Sequence, residues 1–282
     1  MALSINTNMA ALNAQRQLNK STGSLGKTFE RLSSGLRINR AADDAAGLSI
    51  STRMTAQIRG TSQAMRNAND AISAVQVADG ALEETTNALQ RIRELAVQGA
   101  NDTVIAGDRE DIQLEISQLV YEVQRISSQT EFNNQRIVNG SFATKKFHVG
   151  PDGGQTIQVT VNAASVKALG VNSTNAKLYS ATMTAAQMQS MANGLIGRVD
   201  SALDSVSDIR SNLGAYQNRF EAVIANLGSI VEATQSARSR ILDADIASET
   251  ANLTRNAILQ QAGTAILAQA NQQPQIALQL LG

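Results

Sequence analysis

Chemistry needs nucleophiles, acids, bases or metal ligands at workable spacing, and this chain offers few. There is one histidine, His148, and no cysteine. A histidine-rich or thiolate metal site is therefore out of reach, as are disulfides and thiol catalysis. A Ser-His-Asp arrangement would have to be built around His148, and no motif nominates its nucleophile or its orienting carboxylate. His148 reads as an ordinary strand residue beside a turn. Asp43-Asp44 and Asp243-Ala244-Asp245 are tight acidic groupings near the ends of helical segments. Paired carboxylates can run hydrolysis or bind a divalent cation, but helix capping, or pairing with Arg37, Arg40, Arg238 and Arg240, is the simpler role. Gly23-Ser24-Leu25-Gly26-Lys27-Thr28 ends like a phosphate-binding loop, yet only two residues separate its glycines where the loop has four. The residues point to a protein that is not an enzyme and holds no cofactor and no metal.

Composition narrows the remaining classes. The 282 residues carry 24 basic and 24 acidic side chains. A net charge of zero gives no electrostatic footprint for nucleic acid or an anionic membrane. No stretch approaches the roughly 18 consecutive apolar residues of a spanning helix, so no membrane insertion is expected. The start of the sequence lacks a basic segment followed by an apolar run, so no cleavable secretory signal is expected. The protein would then be cytoplasmic or exported without a cleaved leader. There are two prolines, where usage of about 5% would give roughly 14. That leaves long stretches free to be helix. Ala supplies 43 residues, and Asn plus Gln supply 47, which predicts a core of small and aliphatic side chains under an amide-rich surface.

Helical periodicity runs through most of the chain. From Met54 a 3-4 spacing passes Ile58, Thr61, Met65, Ala68, Ile72, Val75, Asp79, Leu82, Thr86 and Leu89, the pattern of a helix in a coiled-coil-like bundle. Gly99-Ala100-Asn101-Asp102 reads as its stop. Asp108 is the expected N-cap of a second helix carrying Ile112, Ile116, Leu119, Val123 and Ile126. A long helix is predicted from Ile196 to Ile241 through Val199, Leu203, Val206, Arg210, Leu213, Gln217, Phe220, Ile224 and Leu227. It would be about 65–70 Å long, which suits a rod. Between the helical halves, strict alternation on both sides of Pro151-Asp152-Gly153-Gly154 predicts a β-hairpin. Residues 162–185 read as solvent-facing loops, so removing about 150–175 is expected to leave assembly intact.

Both ends are amphipathic without aromatic ballast. One carries Ile5, Met9, Leu12, Leu25, Phe29 and Leu32; the other carries Leu253, Leu259, Ile266, Leu280 and Leu281. Short helices are stabilised mainly by tertiary packing. Apolar stripes at both ends therefore suggest a subunit that completes its folding upon polymerisation, with these residues as the subunit-packing set. The expected fold is mainly α: an elongated long-helix coiled-coil bundle with one small β-hairpin module, its terminal helices paired as a coiled coil.

Particular motifs resemble one family closely. Leu32-Ser33-Ser34-Gly35-Leu36-Arg37-Ile38-Asn39 and Ala41-Ala42-Asp43-Asp44-Ala45-Ala46-Gly47-Leu48 look like the N-terminal signature of bacterial flagellin. So do Asn69-Asp70 with Ala71-Ile72-Ser73, the run from Leu89 to Gln98, and Gln129-Thr130-Glu131-Phe132-Asn133. Ser239-Arg240-Ile241-Leu242-Asp243-Ala244-Asp245-Ile246-Ala247 and Ile266-Leu267-Ala268-Gln269-Ala270-Asn271-Gln272 resemble the C-terminal signature. About 50 residues separate the two halves, which implies a short form lacking the large outer domains.

The resemblance implies a structural subunit of the flagellar filament, exported unfolded by a type III apparatus and lying outside the cell or in the periplasm. It implies an inner coiled-coil domain from 1–45 and 241–282. Outer-layer helices would span 46–140 and 191–240, and a hairpin and surface-loop module 141–190. Implied partners are copies of the chain, flagellar cap and hook-junction proteins, an export chaperone and an innate immune receptor of the Toll-like class. Matched to the family, Arg91, Leu95 and Glu115 would serve axial packing and receptor recognition. The alternative within the same structural class is a hook–filament junction protein with flagellin-like ends.

Overall fold

The computed structural model describes residues 8–179 and 184–281, with side chains described through residue 272. In order, the elements are α1 (Met9–Ser34), α2 (Ala45–Gly99), α3 (Ala106–Gln129), β1 (Glu131–Phe132), β2 (Gln135–Arg136), β3 (Lys145–His148), β4 (Thr156–Val159), α4 (Ala185–Leu242) and α5 (Ile246–Leu281). The predominance of helix, the β3–β4 hairpin and the paired terminal helices agree with the expected fold class. The chain divides into two compact units, residues 59–231 and residues 1–58 with 232–282. Helices α2 and α4 contribute to both.

In the unit of residues 59–231, α2, α3 and α4 share one core. One buried line of α2 runs Thr61, Ala64, Ala68, Ala71, Val75, Ala78, Leu82, Thr85, Leu89, Ile92 and Ala96, with Ala74, Ala88 and Leu95 buried beside it. The line is an unbroken 3-4 repeat. It shares every second position with the spacing read from the sequence and replaces the others by the residue one place earlier: Ala71 for Ile72, Ala78 for Asp79, Thr85 for Thr86. The same shift occurs on α4, whose buried line runs Leu195, Val199, Ala202, Val206, Ile209 and Leu213. Leu203 is half-buried, and Arg210 is paired with Asp79 at 2.7 Å. Alanine and threonine take the shifted positions on α2. The larger neighbours flank the buried seam.

Three further differences concern element ends. Helix α3 begins at Ala106, with Ile105 at the cap position and no side-chain cap bond, not at Asp108. Helix α4 begins at Ala185, about three turns earlier than read. Glu131–Phe132 and Gln135–Arg136 form a small antiparallel ladder that the periodicity does not predict. Its two-residue loop, Asn133-Asn134, has φ of 49° and 59°, the left-handed pair that a tight hairpin turn requires.

The predicted hairpin is present, with Lys145 opposite Val159 and His148 opposite Thr156. The Asn67 side-chain amide on α2 donates to the His148 carbonyl at 3.0 Å, and Pro151 of the turn packs on Gly60. Phe147 meets Phe142 at 6.3 Å and Phe220 of α4 edge-on at 5.9 Å between ring centres. Residues 162–179 of the stretch read as loops are irregular as expected, but they are not uniformly solvent-facing. Ala164, Val166, Leu169, Val171, Ala176 and Leu178 are buried in the common core. Leu178 lies directly against Gly99, where a β-carbon would collide with it.

In the other unit, α1 and α5 pack antiparallel. The Asn8 side chain donates to the Ala270 carbonyl at 2.7 Å, Ser21 to the Asn256 carbonyl at 3.3 Å, and Arg31 to Glu249 at 3.1 Å. Gly35, in the left-handed region at φ 70°, ends α1. The next residue, Leu36, forms an antiparallel bridge with Asp243.

Candidate functional site

The residues with chemical potential are engaged in structure. Asp44 Oδ1 accepts the Gly47 N–H at 2.8 Å at the start of α2. Asp245 Oδ1 accepts the Ala247 and Ser248 N–H groups at the start of α5, as a capping carboxylate does. Asp43 accepts the backbone N–H groups of Arg40 and Asn39, which hold its carboxyl below the usual aspartate range. Asp243 accepts the Ser239 hydroxyl at 2.6 Å. Gly23–Thr28, the sequence with a phosphate-loop ending, is plain helix within α1. Among the described residues, no group of His, Asp and Glu is placed to hold a metal ion.

The outstanding surface is on α1 and α5. A helix pair ordinarily turns its large apolar side chains inward. Here the buried side chains of α1 are Ser21 and Thr28, and those of α5 include Glu249 and Ala270. The large apolar residues face out. Met9 is 59% exposed, Leu12 51%, Phe29 65%, Leu259 47% and Ile266 57%. Leu25, Leu32 and Leu253 are half-buried. Ile5 lies outside the described residues, and Leu280 and Leu281 lie where side chains are not described. Apolar exposure of this kind marks an interaction surface.

The second candidate lies on α2 and α3. Arg91 Nη2 contacts Glu115 at 2.8 Å and its Nη1 contacts Glu94 at 3.1 Å. Both bonds, Glu115 first, raise the guanidinium further above its ordinary range. These side chains are about half exposed, so the pairs stabilise little by themselves. Leu95 is not part of that surface: it is 2% exposed and belongs to the core. Positions 91 and 95 are offset by about 40° around the helix, and this offset carries Leu95 over the edge of the buried stripe while Arg91 stays at its rim.

One structural residue escaped the sequence reading. Arg109 is 1% exposed and spans the α2–α3 turn. The available signal was an arginine placed ten positions after a helix-ending glycine, where it can reach that helix's last carbonyls.

A helical protein whose paired ends bury polar side chains and present apolar ones belongs to the class of self-assembling subunits. Comparison with known proteins specifies the class. The bacterial flagellin N-terminal helical region matches residues 5–143, and the bacterial flagellin C-terminal helical region matches residues 196–281. The chain is 44% identical to the flagellar filament 33 kDa core protein of Treponema phagedenis, over 98% of this chain and 99% of that one. It is 45% identical to a flagellin of Halalkalibacterium halodurans at the same coverage. A solved structure from Vibrio parahaemolyticus, described as a flagellar hook-associated protein, aligns with a TM-score of 0.62 at 10% identity, over 71% of this chain and all of that one. That likeness concerns the fold alone. The chain belongs to the bacterial flagellin family, a family of structural proteins, and is a self-assembling subunit of the flagellar filament. Among the described residues, no helix is long and apolar enough to cross a membrane.

Proposed function

We propose that the outward apolar residues of α1 and α5 are the surface through which one copy packs on others in the filament. The set is Met9, Leu12, Leu25, Phe29, Leu32, Leu253, Leu259 and Ile266, extended by Ile5, Leu280 and Leu281. The observation that supports this reading is the inverted helix pair, with Ser21, Thr28 and Glu249 buried while Phe29 and Ile266 are exposed. Burying a large apolar side chain is worth about 1.5–3 kcal/mol, so assembly gains what the isolated pair forgoes. In this reading residues 1–45 and 241–282 form the inner coiled-coil domain. Helices from 46–140 and 191–240 form the outer layer, and 141–190 form the hairpin module.

Arg91 and Glu115 form a second contact surface, for axial packing between copies and for recognition of released monomer by an innate immune receptor, with Leu95 supporting it from beneath. The flagellar cap, hook-junction proteins and an export chaperone are the further partners.

The test is Phe29→Ser combined with Ile266→Ser, assayed by seeded growth under electron microscopy alongside far-UV circular dichroism. A folded monomer that does not elongate seeds is expected. Filaments of normal length from the double variant would place the packing surface elsewhere. Loss of helical content without seeds present would make these residues structural instead.

A further inference from the structure

Asparagine followed by glycine occurs twice in this chain, at Asn139-Gly140 and Asn193-Gly194. The fold treats the two pairs oppositely. Asn193 and Gly194 lie inside α4, where helical geometry holds the asparagine side chain away from the following peptide nitrogen and commits that N–H to the helix ladder. Asn139-Gly140 stands in the turn between β2 and β3. There the Asn139 Oδ1 accepts the Ser141 backbone N–H at 2.9 Å. It also lies 2.6 Å from the Ser141 hydroxyl, whose one proton has the Arg136 carbonyl, at 3.0 Å, as its other acceptor.

A bond from an asparagine oxygen to the N–H two residues on is an Asx turn. Its ring folds the side-chain amide over the intervening peptide, here that of Gly140. Donors on Oδ1 draw electron density from the carbonyl carbon. Gly140 has φ 89° and no side chain to shield its nitrogen, and no hydrogen bond among the described residues engages that N–H.

We propose that Asn139 is a self-modification site, deamidating through a cyclic imide in the folded protein while Asn193 is spared. The Gly140 nitrogen gives its proton to solvent hydroxide and attacks Asn139 Cγ. The new N–Cγ bond forms as the Cγ–Nδ2 bond breaks, and the amide nitrogen leaves as ammonia with a proton taken from water. Water then opens the ring at either carbonyl, giving aspartate or isoaspartate with no change in oxidation state.

Either product alters a defined neighbourhood. A carboxylate at 139 joins a groove lined by Arg136 and Lys145 as well as Glu131. Isoaspartate adds a carbon to the backbone beside Val138, whose carbonyl accepts the Ala164 N–H at 2.9 Å and the Ser127 hydroxyl at 3.4 Å. The first bond fastens the buried 161–178 stretch and the second ties Val138 to α3, so ageing at Asn139 lowers the melting temperature.

The full chain is incubated in mildly alkaline buffer, sampled over time, digested and mapped by mass spectrometry at both peptides. Asn139 is expected to convert on the order of tenfold or more faster than Asn193, because the helical pair reacts only through local opening. In denaturant the two rates converge. Equal rates in the folded chain would overturn the proposal, and so would protection of Asn139 by folding to the same degree as Asn193. Asn139→Gln, checked for native circular dichroism, should keep its melting temperature on ageing while the parent protein loses part of its own. An equal loss in both would remove the link between this site and the 161–178 stretch.

Discussion

Arg109 ends the helix before its own. From the first turn of α3, its Nε donates to the Gly99 carbonyl at 3.0 Å and its Nη2 to the Asn101 carbonyl at 3.0 Å. The guanidinium thus supplies a partner to the Gly99 carbonyl, which the helix end leaves without one, shares the Asn101 carbonyl with the Val104 N–H, and sits at the negative end of the α2 dipole.

Arg109→Met should therefore destabilise the unit of residues 59–231 by about 2–4 kcal/mol, since two hydrogen bonds from a charged donor are lost and the Gly99 acceptor stays buried. Arg109→Lys, with one compact donor group, should fall between the two. Urea unfolding followed at 222 nm measures both.

The seam positions make a paired prediction. Ala71→Leu or Ala202→Leu should cost about 1–3 kcal/mol by overpacking. Leu213→Ala should cost about 2–5 kcal/mol, while Leu203→Ala, half-buried at the flank, should cost clearly less. Melting curves showing Leu203→Ala as the worst of the four would return the seam to the register read from apolar size.

Excising residues 162–178 should not be silent. The cut removes Val166, Leu169, Val171 and Leu178 from the core and uncovers the Leu89, Ile92 and Val123 side they line. Thermal denaturation of the deletion protein should begin at lower temperature and lose cooperativity. An unchanged transition would mean the stretch is dispensable after all.

The turn before α2 carries an acid-dependent contact. The N–H groups of Arg40, first, and Asn39 hold the Asp43 carboxyl below its usual range. A carboxylate whose pKa is depressed by folding contributes stability that is fully present above the ordinary aspartate range and is lost as pH falls through the lowered value. Carbon-detected NMR titration should place the Asp43 midpoint below that of an unstructured aspartate. Asp43→Asn should leave the backbone signals of residues 39 and 40 insensitive to acid.

What was legible in the sequence was what periodicity and turn chemistry encode. The helix stop at Gly99, the hairpin around Pro151-Asp152-Gly153-Gly154 and the outward stripes at both ends were all readable. At alternate seam positions apolar size does not indicate burial. Ile72 and Leu203 look more core-like than Ala71 and Ala202, yet the smaller residue of each pair is the buried one. The buried 161–178 stretch was hidden for a related reason. Its apolar residues follow neither period, so Val166, Leu169 and Leu178 carried no signal against a background of Ser, Asn and Thr. Leu95 comes with Arg91 from the family resemblance, and a four-residue spacing does not distinguish the rim of a stripe from its interior.

The bridge between Leu36 and Asp243 has a mechanical meaning. The Arg37 N–H donates to the Leu242 carbonyl at 2.7 Å and the Ala244 N–H to the Gly35 carbonyl at 2.9 Å, so the two chain crossings are stitched at one level. Neither α1 nor α5 can then screw along its partner independently. A single residue inserted into the last turn of α1, between Phe29 and Gly35, would turn the preceding part of the helix by about 100° and shift it by about 1.5 Å relative to the bridge, swinging Phe29 away from its present bearing. Two hydrogen bonds thereby act as a phase lock, setting the compass direction in which every apolar side chain of the helix pair faces.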